Sequence, residues 1–243
     1  MINIAYKVQV SPRAKHARLK VSAKNGLTVV VPKGFDEARI PGILDKKRDW
    51  LRKVTQRFEE QRKFLSPEPP GQLPERISLR VIGEEWAIDY RTTAAEHVSG
   101  VERPGHRLLV LGDIDSTNAV KAALQRWLSR KAHEHLVTWT RRLAEKNQLD
   151  VKHVTVKSQR TRWASCSASR TISLNVRLLF LPEPLVRYIL LHELAHTQKM
   201  NHSKLFWALV QSLEPDYQRL DAELRTAWRF IPAWLGPVTD SGL

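Results

Sequence analysis

His192-Glu193-Leu194-Ala195-His196, followed after a short gap by His202, is the stretch on which the fold and the chemistry turn. On a helix, residues four apart share a face, so His192 and His196 can both direct a ring nitrogen at one cation. Glu193 lies one step round from the first of them, placed to take a proton from the attacking water and not to fill a coordination position. His202 can supply a third imidazole and leave the fourth corner of a tetrahedron open, the geometry that separates catalytic from structural zinc. With nine His and 15 Glu in 243 residues, chance yields the five-residue pattern about 0.02 times in such a chain. Buried histidines that are merely hydrogen-bonded are therefore the weaker account.

The flanks read as helix. Pro182-Glu183-Pro184 opens the segment, since proline is tolerated in a first turn, and Leu185, Ile189 and Leu190 give it an apolar face. Asn201-His202-Ser203 leads into a second helix in which Leu205, Phe206, Leu209, Val210 and Leu213 recur at helical spacing and can pack on the first. The interval from His196 to His202 matches the metzincin pattern, but Lys199 occupies the position of its glycine. The only methionines are Met1 and Met200, so no methionine turn follows the third histidine, and that class fails. An alternative takes the third ligand from Glu214 or Glu223 and leaves His202 a bystander.

A wider set of residues carries a family likeness. Thr161-Arg162-Trp163-Ala164-Ser165-Cys166-Ser167, then Ile172-Ser173-Leu174-Asn175-Val176-Arg177-Leu178, then the zinc motif and Asn201-His202-Ser203 with Phe206-Trp207, resemble the YgjP-like metallopeptidase family, a relative of the SprT-type zinc proteases. Gly26-Leu27-Thr28-Val29-Val30-Val31-Pro32 and the following helix with Lys47 and Trp50 extend the likeness over nearly the whole chain. Ala164 is a departure, standing where the family is expected to have glycine. The resemblance implies an α+β fold, a zincin-like domain whose active-site helix packs on a small, mainly antiparallel sheet, preceded by an N-terminal strand and helix region. It implies zinc, or another divalent ion, on His192, His196 and His202 with Glu193 as general base. It leaves the substrate open, since proteins similar to this one are described both as peptidases and as nucleoside triphosphate pyrophosphatases, notably toward UTP.

Composition narrows the setting. The net charge of +15 points toward polyanions, nucleotide or nucleic acid first. From Val151 to Pro182 there are six basic residues and no acidic one, running directly into the zinc helix. Within that stretch Arg160, Arg162 and Arg177 offer guanidinium forks suited to phosphate, and Trp163 and Asn175 join them as candidates for substrate or anion binding. Scattered lysines elsewhere read as a solvated face. No apolar run reaches membrane-spanning length, the first residues lack a secretory profile, and Cys166 is a lone cysteine; together these lead to the expectation of a cytoplasmic protein with no membrane partner. Cys166 reads as a small strand or turn residue in preference to a fourth ligand.

Along the chain, residues 4–31 read as strands and Ile40, Ile43, Leu44, Trp50, Leu51, Val54 and Phe58 as one helical stripe. The proline-rich run from Ser66 to Pro74 reads as a linker, so residues 1–65 form an N-terminal region, 66–75 a connection and 76–243 the catalytic region. Ile77-Leu79-Val81 and Trp86-Ile88-Tyr90 flank Gly83 as a hairpin, Leu108 to Leu111 adds a strand, and Thr117 to Asn147 is a long helix with Trp127 and Trp139 in the core. Val151–Lys157 and Thr171–Leu178 read as paired strands. In the second, Ser173, Asn175 and Arg177 share one face, and an edge strand so placed could hold an extended peptide. The leading expectation is a zinc peptidase acting on protein substrates, nucleic-acid-associated ones among them; the alternatives are a UTP pyrophosphatase using the same centre and a nucleic-acid-binding module with structural zinc.

Overall fold

A computed structural model describes residues 6–236 apart from 13, 23–25, 52–71 and 160. The chain divides into two compact units, Met1–Leu65 and Ser66–Leu243.

In the first unit, β1 (Tyr6–Val10), β2 (Arg18–Ser22) and β3 (Gly26–Val31) form one sheet with β3 in the middle, parallel to β1 and antiparallel to β2. Asp36 starts a 3-10 turn by accepting the Ala38 N–H at 3.0 Å, and α1 (Ile40–Lys46) follows, with its proline in the first turn where no donor is lost. Val29, Val31 and Ile40 make a small core on which Val8, Leu19, Phe35 and Leu44 pack. Residues 48–51 are again helical, with Leu51 buried, but Trp50 is 43% exposed and falls outside the apolar stripe expected of it. Val54, Phe58 and most of the proline-rich run, residues 66–71, lie outside the described residues.

The second unit begins with a four-stranded sheet in the order β4 (Arg76–Leu79), β5 (Glu84–Thr92), β7 (Arg107–Gly112), β6 (Ser99–Arg103). Gly83, at φ 66°, closes the β4–β5 hairpin in the left-handed region that glycine tolerates best. β6 has no apolar alternation to announce it: Val101 is its one branched aliphatic residue and is exposed. Gly100 leaves room instead, since a Cβ there would sit 3.2 Å from the Leu108 side chain of β7. Helix α2 (Thr117–Ala132) runs through a π-helical turn (His133–Val137) into α3 (Thr138–Lys146), with Trp127 fully buried and Trp139 half-buried against the same core.

A second, three-stranded sheet has the order β8 (His153–Lys157), β10 (Thr171–Asn175), β9 (Ala164–Cys166). β10 is parallel to β8 and antiparallel to β9, so the unit's sheets are mixed, with antiparallel pairs in the majority. Two expectations are corrected here. The strand stops at Asn175, because the Asn175 Oδ1 accepts the Arg177 N–H at 3.1 Å and turns the chain into a buried 3-10 segment, Val176–Phe180. β10 is also the middle strand; the outer strand beside the helix that carries His192 and His196 is β9.

That helix, α4 (Glu183–Ala195), has Pro184 in its first turn and is buried on every side from Tyr188 to Ala195. α5 (Lys204–Leu213) starts on a side-chain cap, the Ser203 Oγ accepting the Phe206 N–H at 3.4 Å. Phe206 and Val210 are buried and Leu209 and Leu213 half-buried, but Leu205 is 67% exposed and falls outside the apolar stripe expected of it. α6 (Tyr217–Leu224) is tied to α4 by the Tyr188 hydroxyl, which donates to Asp221 at 3.1 Å. Among the described residues no helix is long and apolar enough to cross a membrane.

Candidate metal centre

His192 and His196 lie one turn apart at the end of α4, and His202 returns to them from the connection before α5. One ring nitrogen from each lies within 4.8 Å of the others, and the Nε2 atoms of His192 and His202 are 3.1 Å apart. The His196 Nδ1 lies 3.0 Å from the Lys199 carbonyl oxygen, to which its N–H donates, so its Nε2 carries the lone pair. Burial holds the His192 imidazolium well below its ordinary range, at about 3, with the two neighbouring histidines adding to the effect, and burial lowers His196 as well. The neutral imidazole is the form a cation requires, and three histidine nitrogens drawn together suit a divalent ion of borderline softness. His192 and His196 are buried while His202 is exposed, so the cluster opens on the His202 side.

Glu193 is only 3% exposed, and burial pushes its carboxyl up to about 8. Two features pull the other way: the Arg162 guanidinium charge nearby and a hydrogen bond from the Cys166 backbone N–H of β9. The Cys166 thiol is pushed up to about 11, by burial and then by Glu193, and its sulfur is not among the ligand atoms that come together with the histidines. Glu214 pairs with Arg187, and Glu223 with Arg219 and Arg229, and neither is among the residues whose ligand atoms come together with those of His192 and His196. Rings enclose the histidines: Phe206 stacks on His196 at 4.4 Å and Trp207 on His202 at 5.6 Å.

The basic candidates divide. Arg162 is exposed and close enough to Glu193 to act on its charge. Arg177 is 3% exposed and donates to the carbonyl oxygens of Gln159 and, at 2.8 Å, Leu235, so it anchors backbone and offers no open fork to an anion. Asn175 is likewise buried, its Nδ2 donating to the carbonyls of Gln159 at 2.9 Å and Arg162 at 2.7 Å. Trp163 is packed into the core. Arg160 lies outside the described residues. Sequence reasoning missed the Cys166 N–H, because a backbone donor has no residue-type signature. It assigned Phe206 to packing alone; its position four residues after His202 was the available signal.

A buried glutamate beside converging helical histidines, on a helix laid against the outer strand of a small sheet, defines a metal-dependent hydrolase of zincin-like build. The model of the family described as YgjP-like, metallopeptidase domain, matches residues 15–227, and the chain belongs to that family. The UTP pyrophosphatase of Escherichia coli (strain K12) is 43% identical to it over 44 residues, 18% of this chain and 26% of that protein's length. Among solved structures, the metallopeptidase zymogen of Pyrococcus abyssi abylysin is 26% identical, with 36% of this chain and 89% of that one covered, at a TM-score of 0.33.

Proposed function

We propose that the protein is a zinc-dependent peptidase in which His192, His196 and His202 hold the metal and Glu193 is the general base. The observation that carries this reading is the convergence of three ring nitrogens within 4.8 Å beside a buried carboxyl. When bound, zinc makes water acidic enough to yield hydroxide near neutral pH and polarises the oxygen under attack. Glu193 accepts the proton of the attacking water and returns it to the leaving group. The Arg162 charge and the Cys166 N–H favour the ionised carboxylate, the form able to accept that proton. β9, as the outer strand, has one side unpaired within its sheet and offers an extended peptide a backbone partner beside Glu193. An exposed third histidine speaks against a closed structural site.

A second reading, hydrolysis of a nucleoside triphosphate, draws on Arg162 beside Glu193 and on the partial likeness to a UTP pyrophosphatase. Arg162 would then hold a phosphate that the base-activated water attacks. The test sets peptide release from an unstructured protein beside pyrophosphate release from UTP, each with zinc-loaded and chelated protein. Zinc-dependent peptide release is expected; zinc-dependent cleavage of UTP alone would replace the first reading by the second. Zinc bound with neither activity would leave a binding module.

A further inference from the structure

We propose that Trp207, backed by Tyr217, is a positioning residue that sets the ring plane of His202 and thereby the affinity of the three-histidine centre for its cation; the inference rests on reading that centre as a metal site. His192 and His196 are carried by a buried helix, but His202 is exposed and sits in the connection between α4 and α5. An exposed side chain on a connection retains rotamer freedom, and fixing it on a cation would cost ordering entropy and weaken binding.

The rings around His202 remove that freedom in advance. The Trp207 indole lies nearly parallel to the imidazole, 5.6 Å between centroids and 23° between planes. Phe206 meets the same imidazole edge-on, at 4.8 Å and 89°. A parallel wall and a perpendicular one restrict rotation of the ring, which stands with its Nε2 3.1 Å from that of His192. The local sequence explains the placement: Ser203 caps α5, and side chains one turn into a helix lean back toward its N-terminus. Trp207 thus reaches back over the residue just before the cap.

Tyr217 stacks on Trp207 in turn, at 5.4 Å and 22°. It opens α6, whose Asp221 accepts the Tyr188 hydroxyl of α4. The exposed ligand is therefore braced, through two aromatic rings and one hydrogen bond, against the helix that carries the other two. Trp207 touches a ligand, not the reacting atoms, and its contribution is to pre-order the site.

The test is zinc affinity of the full chain, read by competition with a chromophoric chelator, together with the visible absorption of the cobalt-loaded protein. Trp207→Leu is expected to weaken zinc binding roughly 10- to 100-fold, as loss of a partner that orients a ligand does, and to lower the cobalt band intensity. Trp207→Phe, which keeps a parallel ring, is expected to restore most of the affinity, and Tyr217→Leu to fall between. A role in packing alone would lower the melting temperature of the chelated protein while zinc affinity stayed at wild type; that result in Trp207→Leu and Tyr217→Leu overturns the proposal. His202→Ala separates the two levels: if it binds zinc as tightly as wild type, the three-histidine reading itself fails, and if it loses zinc while the Trp207 and Tyr217 variants do not, only the positioning role fails.

Discussion

Glu193 is the residue on which the chemistry is most exposed to test. Glu193→Gln keeps the shape of the side chain and removes its basicity, so zinc content should be unchanged while turnover falls by about 10²- to 10⁴-fold, the usual contribution of a positioned base. Metal analysis beside a turnover assay checks this, and undiminished hydrolysis by purified variant would refute the role. The same carboxyl predicts a pH dependence of stability in the chelated protein. Its folded value of about 8 against an ordinary 4.5 means that the folded state keeps a proton the unfolded state has released, so its contribution falls as pH rises between those values. His192 acts with the opposite sign, since its folded value near 3 against 6.5 gives stability that grows up to about pH 6.5 and then levels. Between about pH 6.5 and 8 the contribution of Glu193 is left exposed, and stability should decline by up to about 1.4 kcal/mol per pH unit. Denaturant midpoints across that window should slope in the wild type and flatten in Glu193→Gln.

At the scale of elements, the decisive connection is the one between β8 and β9, in its described residues 159 and 161–163. It brings Arg162 beside Glu193, and it is held from within by Asn175 and Arg177. The sequence placed both residues on an open polar face because it extended β10 through Leu178. The strand instead ends where the Asn175 side chain caps the following turn, and the polar groups are turned inward to backbone carbonyls. Asn175→Ala would take the Asn175 donor from the Arg162 carbonyl and the cap from the Arg177 N–H, while Arg177 still serves the Gln159 carbonyl, at a cost of about 1–3 kcal/mol. Urea unfolding measures the loss, and turnover should drop with it because Arg162 is no longer held; unchanged stability would show that the loop finds other partners.

For the whole molecule, a cation bound by the folded state alone stabilises it by mass action. Zinc at a hundredfold excess over its dissociation constant should add about 2.7 kcal/mol, visible as a rise in melting temperature that chelator reverses and that His196→Ala abolishes. The net charge of +15 gives a second whole-molecule expectation: any binding to DNA should weaken steeply as salt increases, which a titration at two ionic strengths reads directly. Salt-independent binding would mean that charge is not what recruits a polyanion.

The local periodicities were legible. The four-residue spacing of His192 and His196, the proline entry to α4, the hairpin at Gly83 and the helix from Thr117 are all set by residues within a turn or two of one another. The sequence by itself therefore determined which imidazoles could meet a cation and that a carboxylate would stand beside them. Tertiary structure alone decided that β10 is a middle strand, that Asn175, Arg177 and Trp163 are buried, that β6 forms on a segment without apolar alternation, and that Tyr217 stacks on Trp207 behind His202. The reason is physical: periodicity is a property of neighbouring residues, whereas burial, pairing order and ring stacking depend on what a distant part of the chain lays over them.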